Sequence, residues 1–462
     1  MNGDAKVENR YRTVWRWHFY AGLFCVPFVL WLATTGGLYL FKPQIEALID
    51  RPYANLSFTG ALASPSAQAD AAVAAVPGSA LHRYVLSDRI DQASQIVVGV
   101  GADETRVYVH PQTLTVMKTV AEEDRLMRII FRLHGELMAG MPGSMLVELA
   151  ASWTIIMLLT GLFLWWPRSG AGLAGTLYPR LRLGRRAFWR DMHAVTGIWV
   201  SLLAMALILS GLPWANNWGN YLKAVRSLGS DMVVKQDWSA GSAAEARDRA
   251  ALDRHARAMS GEHAEHGGMT MAHASGPLGP LDVLVPRVQA LQLAGPVELS
   301  PPTAPGNIWS AKSNAANRPL RASLAMDGMT GAVVSREDFD QRPWIDRAVG
   351  YGVAAHEGVL FGWVNQLLGL VTVLGLTLLA LSSIVLWWRR RPGGSLGAPP
   401  PQGLIRHSWL LVGLTVLLAM VVPLFGISLG IVVLAEWVVL RRSRAVSAWL
   451  GLRALWYSGR AQ

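Results

Sequence analysis

Four histidines stand at the ends of four long apolar segments, and they fall into two matched frames. His134 and His356 each occupy an Asp-Arg-x8-His-x30-Trp-Trp-x-Arg pattern: Asp124, Arg125, His134, Trp165, Trp166 and Arg168, then Asp346, Arg347, His356, Trp387, Trp388 and Arg390. Every position is displaced by 222 residues, the step from His134 to His356. His18 and His193 share a second pattern, His-x3-Gly-x12-(Thr or Ser)-Gly, carried by Gly22, Thr35 and Gly36 and again by Gly197, Ser210 and Gly211 at a displacement of 175. Such repetition confines the chain to an architecture with one histidine per half at each end of its apolar segments. Two imidazoles held near each other suit a metal, and haem iron is the leading candidate.

The apolar segments bound the fold class. Of 462 residues 52% are hydrophobic and only 16% charged, and 20 are Trp, which points to a membrane protein with extramembrane parts. A span needs roughly 20 apolar residues. Four runs meet this: Phe19–Phe41, Met145–Trp166, Ala194–Trp214 and Leu360–Trp388. A fifth, Trp409–Leu440, is interrupted by Pro423 and Gly426 and reads as two short helices joined by a tight turn, for about six spans in all. The first run lacks an Ala-x-Ala cleavage site and reads as a signal anchor.

Lys and Arg placement orients the chain. Lys6, Arg10, Arg12 and Arg16, the loop from Arg168 to Arg190, Arg389–Arg391, and Arg441, Arg442 and Arg444 all fall on one side, expected to be cytoplasmic. The two large loops, near 42–130 and 218–357, carry 22 basic and 25 acidic residues together, so the net charge of +11 resides at cytoplasmic edges facing anionic lipid and does not imply nucleic-acid binding. Expected boundaries are 1–41, tail and first span; 42–141, first external domain; 142–167, second span; 168–192, basic loop; 193–217, third span; 218–357, second external domain; 358–391, fourth span; 392–462, terminal hairpin and tail. The only cysteine, Cys25, lies inside the first span, which excludes disulfides and cysteine clusters outside the membrane.

Each half reads as helix, external α+β domain, helix. Ser57–Gly78 is Ala/Ser/Pro-rich and reads as a linker. Strand patterns follow at Arg83–Leu86, Gln95–Val100 and Thr105–Val120, the last broken by a turn at His110–Thr113, and later at Ile308–Ala311, Leu320–Ala325 and Ala332–Arg336. Glu122–Met138 has helical spacing. The turns at His110 and at Asp327-Gly328-Met329-Thr330-Gly331 align at an offset of 217 and resemble the Asp-Pro-x-Thr-Gly hairpin of PepSY domains, with His110 and Leu114 replacing the Asp and Gly of that pattern. With the flanking helices and the Trp-Trp-x-Arg ends, residues 10–445 resemble the PepSY-associated transmembrane family of bacterial inner-membrane proteins. That resemblance implies iron and siderophore use, and a characterised type is a di-haem reductase of ferric siderophores.

A single helix supplies one axial ligand to a given haem, so the frames pair His18 with His193 at the cytoplasmic end and His134 with His356 at the external end. Two b-type haems would then sit one near each membrane face, on a pseudo-twofold axis along the membrane normal. The alternative is four interfacial histidines with no ligand role. Arg16, Arg132 and Arg190 lie within one turn of these histidines, either as propionate partners or as snorkelling cations. Glu148 has no counterpart in span four, where Leu370 stands, and is either a proton or substrate contact or a satisfied polar residue. The Trp pairs read as interfacial anchors, the frame glycines as sites of close helix or porphyrin approach, and Glu436 as a structural partner of Arg441 and Arg442. His255, Met259, His263, His266, Met269, Met271 and His273 form a His/Met-rich stretch that could capture copper or could be an inert insertion. His82, His110 and His407 read as ordinary surface or turn residues.

No Gly-x-Gly-x-x-Gly follows a strand, and no Walker or His-Glu-x-x-His motif is present, so electrons must come from a separate cytoplasmic donor or from quinol. The basic loop Arg180–Arg190 could dock an acidic donor or contact lipid. The reading is thus a di-haem b inner-membrane oxidoreductase, N-terminus cytoplasmic. Electrons would enter at His18/His193 and leave from His134/His356 to a periplasmic ferric siderophore or other metal chelate. Two alternatives stay open: a copper-binding or cupric-reducing membrane protein, and a non-redox protein whose external domains bind another protein.

Overall fold

A computed structural model describes residues 3–87, 89–167, 172–227, 278–302, 306–399 and 409–452. The chain divides into two compact units. The first, Met1–Gly37, His134–Val234 and Leu367–Gln462, is helical; the second, Leu38–Leu133 and Lys235–Gln366, holds the strands.

Among the described residues, five helices are long and apolar enough to cross a membrane: Arg10–Leu40, Met141–Trp165, Gly184–Trp214, Trp363–Arg390 and Pro423–Leu440. They lie on α1 (Gly3–Leu40), α5 (Met141–Trp165), α6 (Gly184–Gly211), α10 (Trp363–Arg390) and α12 (Pro423–Ala435), the last continued by a π-helical turn at Glu436–Leu440. The protein is therefore a polytopic helical membrane protein. Its sixth apolar helix, α11 (Trp409–Val421), has 13 residues, about 20 Å at 1.5 Å per residue, and falls short of a full span. The expected break at Pro423 is present. Val422 leaves helical geometry (φ −126°, ψ 82°), and a Cβ on Gly426 would stand 2.8 Å from that of Ala419. In a continuous helix seven residues would be about 10 Å apart, so the chain turns a sharp corner here. Trp153 closes the corner onto α5: its ring packs on Phe425 and its indole N–H donates to Ser428 Oγ at 3.0 Å.

The second unit is built on one antiparallel sheet of eight strands, in the order β4-β3-β2-β1-β5-β6-β7-β8. The strands are β1 (Ala80–Leu86), β2 (Ser94–Val100), β3 (Asp103–Val109), β4 (Val116–Ala121), β5 (Val297–Ser300), β6 (Ile308–Ser313), β7 (Ala322–Asp327) and β8 (Val333–Asp338). The expected strands are all present, and β5 is an addition. The strands of the two expected external domains join in one sheet. β1 pairs with β5 (Tyr84 with Leu299, Leu86 with Val297), and residues of both segments share one core. The physical reason is the edge: β1 and β5 alone would each expose a row of unpaired backbone groups, and pairing them satisfies both.

Ser57–Gly78, expected as a linker, contains α3 (Pro65–Ala75). Ser64 caps it by accepting from Ala67 N, Pro65 occupies the first turn, and the Ala-rich body favours helix. Ala69 and Ala72 pack with Leu281, Leu284 and Val288 of α8 (Pro280–Ala290) against the sheet, and all five are almost fully buried.

The two aligned turns solve one problem with different atoms. Asp327 Oδ1 accepts from the backbone N–H groups of Met329 (3.0 Å) and Thr330 (2.8 Å), and Gly331 follows at φ +68°. In the first turn His110 Nδ1 accepts from Gln112 N and Thr113 N, both at 3.2 Å, and Leu114 takes the left-handed position at φ +59°. His110 is therefore a turn cap, and His82 is paired with Glu104 at 3.2 Å. His407 lies outside the described residues.

Beside β3, Glu122 accepts from Arg106 Nε at 2.5 Å. Burial pushes this carboxyl up, but the Arg106 charge and hydrogen bond outweigh it, so Glu122 ionises below the ordinary value of 4.5. A carboxyl lowered by folding stabilises the fold above its ordinary value, and that stability is lost as pH falls through the lowered one. Replacing Arg106 with Gln leaves burial opposed by the weaker Arg125 contact (3.3 Å) and the charge of Arg83. The acid transition of the second unit, followed by circular dichroism in detergent, should move to higher pH in Arg106→Gln.

Candidate functional site

Two imidazoles meet in the helical unit. His18 on α1 and His193 on α6 have ring centroids 6.4 Å apart and planes inclined at 74°. Each is tied through Nδ1 to a neighbouring helix in the same way. His18 Nδ1 lies 3.1 Å from Met157 O and 3.1 Å from Thr160 Oγ1 on α5. His193 Nδ1 lies 3.2 Å from Leu379 O and 3.2 Å from Ser382 Oγ on α10. A carbonyl oxygen only accepts, so Nδ1 carries the proton in both rings and Nε2 keeps its lone pair. Neither Nε2 has a hydrogen-bond partner among the described residues. Two neutral imidazoles with bare Nε2 atoms, each oriented by a carbonyl behind it, are the usual donor set of a metal site.

The spacing tests which metal group fits. A metal–nitrogen bond of about 2.0 Å and roughly 1.1 Å from Nε2 to the ring centre place two opposed imidazole centroids about 6.2 Å apart. The 6.4 Å observed matches that span, and two further ligands of a tetrahedral zinc site are lacking: no group of three or more His, Cys, Asp or Glu able to hold a metal occurs among the described residues. The centroid distance suits two imidazoles on one metal group.

His134, near the end of α4 (Leu126–Glu136), is set the same way by a different helix. Its Nδ1 lies 3.0 Å from Thr35 Oγ1, and that hydroxyl donates to Trp31 O at 2.9 Å, so it accepts from the imidazole. The sequence frame thus acquires meaning: the Thr-Gly pair serves the histidine. A Cβ on Gly36 would stand 3.0 Å from His134 Cε1, so any side chain there would press on the ring. His356 is the last residue of α9 (Trp344–His356) and belongs to the second unit. Its pairing with His134 rests on the sequence frames.

Sequence reasoning missed the partners of the first pair. Met157 and Leu379, and likewise Thr160 and Ser382, are separated by the same 222 residues as the Trp-Trp-x-Arg ends. The hydroxyls stand five residues before Trp165 and Trp387, where an extension of the frame would have found them.

The other candidates resolve into structure. Glu148 is 1% exposed, and its carboxylate accepts from Asn217 N (2.8 Å), Trp218 N (3.0 Å) and Asn217 Nδ2 (3.3 Å). It caps the N-terminus of α7 (Asn216–Ser227), where orphan N–H groups and the helix dipole favour an anion. Arg16 donates to Pro399 O at 2.7 Å, Arg132 pairs with Glu123 at 3.5 Å, and Arg190 with Asp191 at 2.8 Å. The fully buried Asp191 also takes Arg180 at 2.7 Å, and Arg182, Arg185 and Arg186 are exposed. The Trp pairs divide their work. Trp165 donates to Thr176 O and Trp387 to Leu396 O, pinning the following loops, while Trp166 and Trp388 stay exposed. Arg390 lies 4.5 Å over the Trp15 ring, and Glu436 pairs with Arg441. Arg168 and the whole His/Met-rich stretch, with His255, Met259, His263, His266, Met269, Met271 and His273, lie outside the described residues.

The chain belongs to the PepSY-associated TM region family, whose profile matches residues 15–390. The match ends on Arg390 and takes in all four histidines. Among curated proteins, none matches the chain in sequence.

Truncating Glu148 strands two helix N–H groups in an apolar setting, at about 1–3 kcal/mol. Glu148→Ala should lower the thermal midpoint in detergent more than Glu148→Gln, which keeps an acceptor oxygen. A Gln variant of native stability that has lost turnover would instead mark Glu148 as a proton carrier.

Proposed function

We propose that this protein is a di-haem b inner-membrane reductase that passes electrons from a cytoplasmic donor or quinol to a ferric chelate in the periplasm, with ferric-siderophore reduction as its role in iron acquisition. The carrying observation is the His18–His193 pair: 6.4 Å between centroids, with both Nδ1 protons committed to helix carbonyls. His18 and His193 would hold one haem. His134 and His356 bind the second, a reading supported by their shared frame and by the matching Nδ1 contact of His134. Bound there, the haems supply reversible one-electron Fe(III)/Fe(II) chemistry. The protein's own share is to hold the imidazoles neutral and oriented, and to enclose them among apolar helices. Lysine and arginine placement supports a cytoplasmic N-terminus. A one-electron reduction releases iron because Fe(II) is held far more weakly than Fe(III) by hard oxygen ligands.

The frames also support a duplicated unit, helix–PepSY-like domain–helix, followed by a helical hairpin. The strand order mirrors about the β1–β5 pair, and the partners of His18 and His193 repeat at the frame's own displacement.

The test is optical. Protein purified in mild detergent from haem-replete cells should show a sharp reduced α band and two b-type haems per chain by pyridine haemochrome. His18→Ala and His193→Ala should each retain one. A colourless wild-type protein overturns the proposal. Dithionite-reduced protein should be reoxidised by a ferric chelate under anaerobic conditions.

A further inference from the structure

The hydroxyls of Thr160 and Ser382 make no contact that the fold needs them for. Thr160 Oγ1 donates to Ile156 O at 2.7 Å and Ser382 Oγ to Leu379 O at 3.0 Å, but those helix carbonyls lie within helices that hold without them. With the hydroxyl hydrogens so directed, each oxygen presents its lone pairs elsewhere, and each meets an imidazole Nδ1–H: 3.1 Å for His18 and 3.2 Å for His193. Each Nδ1–H is therefore shared between a carbonyl and a hydroxyl at equal distances. A proton held by one acceptor leaves the ring free to swing about that bond, whereas two acceptors fix its rotation. Ser382 is fully buried, so water cannot replace it. On the His18 side a Cβ at Gly161 would stand 3.1 Å from the ring, so the imidazole is bounded sterically as well.

We propose that Thr160 and Ser382 are positioning residues for His18 and His193: their hydroxyls fix ring rotation and draw electron density toward Nε2, biasing the iron held there toward Fe(III). This rests on the di-haem reading. The physical basis is general. A hydrogen bond from the second ring nitrogen raises the basicity of the ligating one, and losing such a partner typically costs about 10- to 100-fold in metal affinity or activity. A more basic axial pair stabilises the ferric state, so the haem bound by His18 and His193 has a lower potential than it would have with the carbonyls alone.

The experiment is a spectroelectrochemical titration of the purified holoprotein and of Thr160→Val and Ser382→Ala, single and combined, with haem counted per chain. Thr160→Ser and Ser382→Thr serve as hydroxyl-keeping controls. One of the two haems should shift upward in the hydroxyl-less variants, by about tenfold in the Fe(II)/Fe(III) ratio in the double variant, which is 59 mV for one electron. The other should stay, and the controls should overlay the wild type. Low-temperature EPR should show a changed ligand-field signature in one ferric haem only. Loss of one haem in Thr160→Val but not in Thr160→Ser supports the same assignment. Full haem content with unchanged potentials and spectra in the double variant overturns it while leaving the di-haem reading standing. A wild-type protein without haem overturns both.

Discussion

Everything at the candidate site depends on where a buried imidazole sends its Nδ1 proton. Between apolar helices an unsatisfied polar group costs several kcal/mol. The helices offer acceptors only at carbonyls that already serve the i→i−4 ladder, and at Ser or Thr hydroxyls one turn along. His18 and His193 use both, on α5 and α10. That choice sets the tautomer, the tautomer leaves Nε2 bare, and the two rings stand 6.4 Å apart, which is the geometry the proposed metal ligation uses. Reversing the tautomer would keep the fold and lose the site.

Two buried charges of the helical unit are arranged for stability. Glu148 and Asp191 are both almost inaccessible, and both are saturated: one by the N-terminal N–H groups of α7, the other by two guanidinium groups. Each joins two stretches of chain that lie far apart in sequence or across a loop. Neither is left with the unfilled acceptor capacity that the bare Nε2 atoms display, and this separates structural polar groups from the candidate ligands.

The strand-bearing unit shows how a small change of residue type can hide a shared geometry. His110 does through Nδ1 what Asp327 does through Oδ1, and Leu114 adopts the backbone of Gly331. Both turns bring adjacent strands into register. The first departs from the usual motif in its letters and keeps to it in its hydrogen bonds. The joining of the two strand sets through β1 and β5 has a similar logic, since backbone pairing is indifferent to side-chain identity and leaves little trace in sequence.

By itself the sequence determined what depends on local pattern: four of the long apolar helices, the break at Pro423, seven of the eight strands, the four histidines and the frames that relate them. These follow from hydropathy, period and spacing, which act over a few turns of chain. It did not show α3, whose Ala-rich letters suit a linker equally well until Ser64 caps them and the sheet covers them. It did not show that the strands form one sheet, that Glu148 caps a helix about 70 residues away, or that Thr160 and Ser382 stand behind the histidines. Those are pairings between distant segments, and only packing decides them. The hydroxyls lay on the very displacement that the frames define, yet Ser and Thr are common in apolar helices. A hydroxyl acquires a role only when an Nδ1–H arrives within hydrogen-bonding distance, and that is settled by tertiary structure.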